Sequence, residues 1–297
     1  MFGLRDTFQY LECGRCACLQ LLDPPIDMAR YYPSEYTAFR SNGHSQASAF
    51  GRIHRYLRKR RNEGFFRERG WLNRFLAKRC DYLPLEAFCR LGLDQKARVL
   101  DVGCGSGTLL LDLKELGYEN LLGVDRFIPA PTDNGGVRVM KGVLEDLFGT
   151  SWDVIMFHHS FEHMPDPLRV LQQTAALLVS GGRSLVRIPV VGWAWEHYGV
   201  NWAQIDAPRH FFLHSEKSFR LIAQAAGLNV VGLVYDSNEF QFWLSELFSR
   251  NVPLTSLENS DPETVFSKSE LRSFRLQAAE LNSKGRGDSA VFELIKP

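Results

Sequence analysis

The sequence predicts an open α/β sheet, mostly parallel, with helices on both faces. Three observations carry that prediction. Val99-Leu100-Asp101-Val102 is apolar around one acid and leads into Gly103-Cys104-Gly105-Ser106-Gly107, after which Thr108 to Leu116 has a helical pattern. Short apolar runs recur downstream and alternate with helical stretches, the spacing of βαβ units. The glycines fall at a strand end, where open α/β sheets bind ligands, and they let the backbone turn sharply with no Cβ in a ligand's way.

The later elements follow in order. Leu121-Leu122-Gly123-Val124-Asp125 reads as a second strand ending in an acid. Arg138 to Met140 reads as a third strand and is followed by Gly142-Val143-Leu144-Glu145-Asp146-Leu147. Trp152 to His159 reads as a fourth strand, running into Ser160-Phe161-Glu162-His163-Met164-Pro165-Asp166-Pro167. Leu168 to Leu178 is helical, with Gly181-Gly182 as its stop signal, and Ser184 to Pro189 is a fifth strand. Ser215 is positioned to cap a helix reaching Ala226, which Gly227 ends. A sixth strand runs from Leu228 to Tyr235, and Ala290 to Ile295 supplies the seventh and last. Residues 239–287 are long for a connection and carry helical apolar spacing at Phe240, Trp243, Leu244, Leu247 and Phe248, then Leu271, Phe274, Leu276 and Leu281. A helical insertion before the last strand is expected, of the kind that supplies specificity or oligomer contacts.

Composition bounds the class. A chain of 297 residues with 45% hydrophobic and 23% charged residues has the make-up of an ordinary globular protein. A formal net charge of +1 gives no global field for nucleic acid or a membrane. Met1 to Leu11 lacks the apolar core of a signal peptide, and no apolar run is long enough to span a bilayer. A cytoplasmic protein is expected, and its six cysteines fit reduced thiols better than a disulfide framework.

Two amino-terminal segments precede the sheet. Cys13-x-x-Cys16-x-Cys18, within residues 1–43, offers half of a zinc site, and structural zinc wants four ligands. The other pair is missing, which weighs against zinc; the alternative to a zinc site is a vestigial knuckle of reduced cysteines in a small amino-terminal cap. Residues 44–93 read as a basic helical cap: over 47–79, Arg52, Arg55, Arg58, Lys59, Arg60, Arg61, Arg67, Arg69, Arg74, Lys78 and Arg79 outnumber Glu63 and Glu68. That face is either simply solvated or docks an anionic partner. No recognition module argues for nucleic acid.

The nonamer from Val99 to Gly107 resembles motif I of class I S-adenosylmethionine-dependent methyltransferases. Glu162-His163-Met164-Pro165-Asp166-Pro167 resembles the "EH-x-x-D-P" segment of the ubiquinone-biosynthesis type. The cysteine knuckle, Pro24-Pro25 and the tyrosine-rich run Tyr31-Tyr32-Pro33-Ser34-Glu35-Tyr36 resemble a bacterial glycan-associated group that carries a zinc-ribbon-like segment, of which only one half is present. The resemblance implies a Rossmann-like seven-stranded sheet over residues 94–297, with S-adenosylmethionine as donor and S-adenosylhomocysteine as product. It places Asp101 near the methionine amino group, Gly103, Cys104 and Gly105 against the cofactor, and Thr108 at a helix start whose N–H groups face the carboxylate. Asp125 takes the ribose, Arg126 flanks the adenine, and Leu144 and Glu145 form the adenine edge. Val143 stands where the family often has an acid, so the adenine amino group falls to Glu145. His158 borders the methyl-donor end.

On the acceptor side, histidine is the natural base near neutral pH. Asp206-Ala207-Pro208-Arg209-His210 resembles the "D-x-P-R-H" segment of the glycan-associated group. His210 is the first choice for general base and His159 the second, with Arg209 binding an acceptor anion and Asp206 orienting one of them. The alternative is a buried polar staple made of Asp206, Arg209 and His210. His163 is expected to cap a helix or pair with Glu162, the alternative being a divalent ion bound by Glu162 and His163. The expected activity is methyl transfer to a small-molecule or glycan-linked acceptor, at a hydroxyl oxygen. Two other readings are a non-catalytic scaffold and an NAD-dependent nucleotide-sugar oxidoreductase. The second conflicts with the loop spacing, since Gly103-x-Gly105-x-Gly107 is not the G-x-G-x-x-G of dinucleotide loops.

Overall fold

The computed structural model describes residues 6–31, 56, 59–60, 62–64, 83–253 and 261–297. Its strands and α-helices in chain order are β1 (Tyr10–Glu12), β2 (Leu19–Leu21), α1 (Leu83–Cys89), β3 (Arg98–Val102), α2 (Thr108–Glu115), β4 (Asn120–Asp125), β5 (Thr132–Asn134), β6 (Val137–Lys141), β7 (Trp152–His158), α3 (Pro167–Leu177), β8 (Leu178–Pro189), α4 (Trp193–Tyr198), β9 (Phe212–Leu213), α5 (Glu216–Ala225), β10 (Asn229–Tyr235), α6 (Phe240–Ser249), α7 (Lys268–Ser283) and β11 (Ser289–Ile295).

The main sheet has eight strands in the order β10-β11-β8-β7-β3-β4-β6-β5. β3 pairs in parallel with β4 and β7, and β4 with β6, as the strand–helix alternation requires. The sequence pattern gave seven strands. The extra one, β5, is a short exposed edge antiparallel to β6, joined to it by Gly135 and Gly136 at φ 60° and 77°. Two successive residues with positive φ make a tight hairpin turn, which glycine permits without a Cβ clash.

The chain divides into two compact units, residues 34–160, 172–186 and 295–297 in one and residues 1–33, 161–171 and 187–294 in the other. The first holds β3 to β7. Its core includes Leu85, Phe88, Leu100, Leu110, Leu113 and Tyr118, with the rings of Phe88 and Tyr118 edge to face at 5.0 Å. β8 begins at Leu178, directly after α3, so Gly181-Gly182 does not end the helix as the sequence suggested. The two glycines lie in an extended segment whose partner is distant in sequence. The Gly181 amide donates to the Lys296 carbonyl at 2.9 Å, and the Lys296 amide donates to the Gly182 carbonyl at 2.9 Å.

The second unit holds a three-stranded sheet in the order β1-β2-β9 and the helices α4 to α7. The Ser215 hydroxyl accepts the Ser218 amide at 3.0 Å and caps α5, while Gly227 at φ 78° follows its end, both as expected. The insertion is helical as predicted. α6 buries Trp243, Leu244 and Leu247 with Phe266 and Ala203, and Ser267 and Glu270 form a capping box on α7.

Of the basic segment 47–79, the described residues Tyr56, Lys59, Arg60, Asn62 and Glu63 are helical and Gly64 is a turn; the rest lies outside the described residues. Among the described residues no helix is long and apolar enough to cross a membrane.

Candidate active site

The glycine bend belongs to the first unit and is built by close approaches. Gly103, Gly105 and Gly107 have φ of 72°, 54° and 76°, a left-handed region costly to any residue with a Cβ. A Cβ on Gly103 would come within 2.4 Å of the Ser160 Cβ, and one on Gly107 within 2.8 Å of Val139 Cγ2. The bend is tied down from two sides. Ser160 donates from Oγ to the Val102 carbonyl at 2.6 Å, and the Gly103 amide donates to the Val124 carbonyl at 2.8 Å.

Asp125 closes β4 beside this bend. Its Oδ2 accepts the Gly105 amide at 2.9 Å and its Oδ1 accepts the Phe127 amide at 2.8 Å. A carboxylate oxygen can accept more than one hydrogen bond, so the two amides orient the group and still leave capacity for ribose hydroxyls. Asp101 is buried, and burial, followed by the charge of Asp125, pushes its carboxyl up to about 7. A ligand ammonium beside it would reverse that penalty. Cys104 is also held protonated, chiefly by burial, and its sulfur fills the place a Cβ on Gly123 would occupy, 2.5 Å away. Gly123 and Ser160 are therefore parts of the site that had no assigned role; a glycine inside a strand signals such an approach.

The remaining donor-side residues fall in the same unit. Thr108 opens α2, whose first amides face away from the helix. Leu144 is buried, and Glu145 accepts from the Gln173 amide at 2.8 Å. Arg126 is exposed, with its guanidinium 5.3 Å from the Phe127 ring centre. His158 ends β7, and His159 follows with φ at 50°, an uncommon backbone for a residue with a side chain.

The acceptor-side residues belong to the second unit and form a buried cluster. Arg209 and His210 are 2% and 5% exposed, so neither lies on an open surface. Arg209 donates to the Asp206 carboxylate, and Nε2 of His210 lies 3.7 Å from the same oxygen. The two ring N–H groups are pinned by main-chain carbonyls: His210 Nδ1 donates to Gln204 at 2.7 Å and His163 Nδ1 to Arg209 at 3.0 Å. In neutral imidazoles this leaves Nε2 as the basic nitrogen of each ring. The rings meet edge to face at 4.8 Å, and burial, then His210, lowers His163 to about 4. Asp206 is raised by burial against the opposing pull of Arg209. His163 is not a helix cap: the Asp166 carboxylate takes the Arg169 amide at the start of α3, at 3.0 Å. Tyr10 also enters the cluster from β1, donating to the His210 carbonyl at 2.7 Å, and nothing in the local sequence pattern announced it.

Glu162, His163 and His210 each offer a ligand atom, and these atoms lie within 4.8 Å of one another. Cys13 and Cys16 face each other across a turn, and the Cys13 thiol is held below its usual range by the Arg15 and Cys16 amides. Among the described residues they join no group of three metal ligands.

The chain belongs to the methyltransferase-domain family, which matches residues 69–233, more than half of its length. It is 27% identical over 190 residues to a ubiquinone biosynthesis O-methyltransferase of Histophilus somni, spanning 55% of this chain and 79% of that protein. An enzyme with the same description from Xanthomonas euvesicatoria is 35% identical over 100 residues, which cover 29% of this chain and 41% of that one. The fold is similar to that of a solved complex between a Haloferax volcanii methyltransferase activator and its methyltransferase, at 18% identity, a TM-score of 0.52, and coverage of 75% of this chain and 92% of that one. The protein is thus an S-adenosylmethionine-dependent methyltransferase, and the scaffold and nicotinamide readings give way.

Proposed function

We propose that the protein methylates a hydroxyl oxygen of a small-molecule or glycan-linked acceptor by in-line displacement. The observation that carries the proposal is the buried Asp206–Arg209–His210 cluster, in which Nδ1–H of His210 is held by the Gln204 carbonyl and Nε2 is the basic nitrogen. The donor, when bound, supplies a methyl carbon already activated by its sulfonium. The chain's own residues do the rest. Asp125 accepts the ribose hydroxyls, Asp101 takes the ammonium, the first amides of α2 face the carboxylate, and Glu145 meets the adenine edge. Nε2 of His210 takes the acceptor proton as the oxygen–methyl bond forms and the carbon–sulfur bond breaks. Arg209 is committed to the Asp206 carboxylate, so it holds that group beside His210 and is not assigned an acceptor anion. His159 is the alternative base. Holding the reacting atoms in line can contribute roughly 7–11 kcal/mol at its upper limit, so no conspicuous triad is needed.

The test is release of S-adenosylhomocysteine with a panel of catechol, phenol and sugar acceptors. His210→Gln should abolish turnover and keep product affinity; unaltered turnover removes His210 as base. The ligand geometry favours one second reading, in which Glu162, His163 and His210 hold a divalent cation that acidifies the acceptor hydroxyl. In that case chelation stops turnover and added magnesium or zinc restores it. Chelator-resistant turnover discards the cation.

A further inference from the structure

We propose that the amino-terminal hairpin is a working part of the acceptor-side site, with Tyr10 as the positioning residue for His210. The proposal rests on the methyl-transfer reading only in assigning His210 a chemical role; the placement of His210 by Tyr10 is tested separately.

The hairpin is locked to the segment carrying the base. β2 pairs antiparallel with β9, Leu19 opposite Leu213 and Gln20 opposite Phe212, and the Leu21 amide donates to the Phe211 carbonyl at 2.9 Å. β9 begins two residues after His210, so the pairing fixes one end of the turn from Gln204 to His210. The phenol of Tyr10 ties its two ends together. Its hydroxyl lies 2.7 Å from the His210 carbonyl and 3.4 Å from that of Ile205. One proton reaches across the turn that contains Asp206 and Arg209, with the shorter contact to His210 dominant. The Tyr10 ring packs against the cluster of Leu19, Ala194, Trp202 and Leu213, so the hydroxyl cannot swing away without losing buried area.

The turn needs such a hold. Asp206 has φ at 36°, a left-handed conformation that persists only where its surroundings determine it. The His210 ring is anchored within the same turn, through Nδ1 to Gln204, so the shape of the turn sets where Nε2 points. Burial and then Asp206 push the Tyr10 hydroxyl far up, which keeps it a donor at any working pH. The far side of the hairpin is also seated: the Ser215 hydroxyl donates to the Cys16 carbonyl at 2.5 Å, and Lys217 Nζ donates to the Arg15 carbonyl at 2.7 Å. The cysteine knuckle is therefore the closed end of a clamp on the base-bearing turn.

The test compares the full chain with Tyr10→Phe, which keeps the ring and removes one hydroxyl. Amide hydrogen exchange over residues 203–214 should quicken by roughly tenfold, the scale one such hydrogen bond supports. The ring titration of His210, followed by nitrogen NMR on histidine-labelled protein, should move. Affinity for S-adenosylhomocysteine should stay the same. With any acceptor the unmodified enzyme methylates, catechol being the first probe, kcat should fall and KM for the donor should not. Unchanged exchange and an unchanged His210 titration would overturn the proposal. So would a lowered Tm with exchange quickened evenly along the chain, which would mark Tyr10 as merely structural. Failure of the methyl-transfer reading has a different signature: the unmodified chain gives no heat with S-adenosylhomocysteine, and the exchange comparison still decides the role of Tyr10.

Discussion

Asp101 is the residue whose chemistry depends most on what binds beside it. Buried next to Asp125, it titrates at about 7, whereas a carboxyl in an unfolded chain titrates near ~3.9. Between those pH values the native state binds more protons than the unfolded one. Its contribution to stability is therefore full below about pH 4 and is lost as pH rises through about 7. A cationic ligand favours the ionised form, so affinity for S-adenosylhomocysteine should be higher at pH 8 than at pH 6, and Asp101→Asn should flatten that dependence. Equal slopes for the two proteins would remove Asp101 from the site. Asp125→Ala should weaken binding by about 1.5–3 kcal/mol, the range for hydrogen bonds to a charged group, or roughly ten- to a hundred-fold. An unchanged affinity would remove Asp125 likewise.

At the scale of elements, the bend depends on a contact between neighbouring strand ends. Gly123 in β4 leaves room for the Cys104 sulfur and for Leu110 Cδ1, which a Cβ would meet at 2.5 Å and 3.0 Å. Gly123→Ala should cost about 1–3 kcal/mol by overpacking, measured by denaturant unfolding, and Cys104→Ala in the same chain should recover much of it. Additive losses would mean the two do not touch. The donor-side elements were legible because each is contiguous: strand, glycine bend and helix lie within twenty residues, and both terminal acids stand at strand ends. The Asn134-Gly135-Gly136 turn was equally local, but the three polar residues of β5 carry no apolar alternation to mark a strand. Gly181-Gly182 misled for the opposite reason, because what keeps the segment extended is a partner more than a hundred residues away at Lys296.

Across the chain, the same contrast separates the residues of the glycine bend from the buried cluster around His210. The segment carrying His210 stood out in the sequence, but the contacts around it did not: Tyr10 is two hundred residues away, and His163 meets its ring directly and donates to the Arg209 carbonyl. Such long-range polar contacts leave no periodic trace in a single sequence. A ligand that binds only the folded chain also adds to global stability. At a hundred times its Kd, S-adenosylhomocysteine should stabilise the enzyme by about 2.7 kcal/mol, read as a rise in Tm that Asp125→Ala diminishes. No rise at saturating ligand would mean that binding and folding are not linked as the glycine bend requires. Calorimetric titration of S-adenosylhomocysteine into the full chain tests the assignment of that bend most directly. Saturable heat at one site per chain, weakened by Asp125→Ala, is the expected result; no heat at millimolar ligand would contradict it.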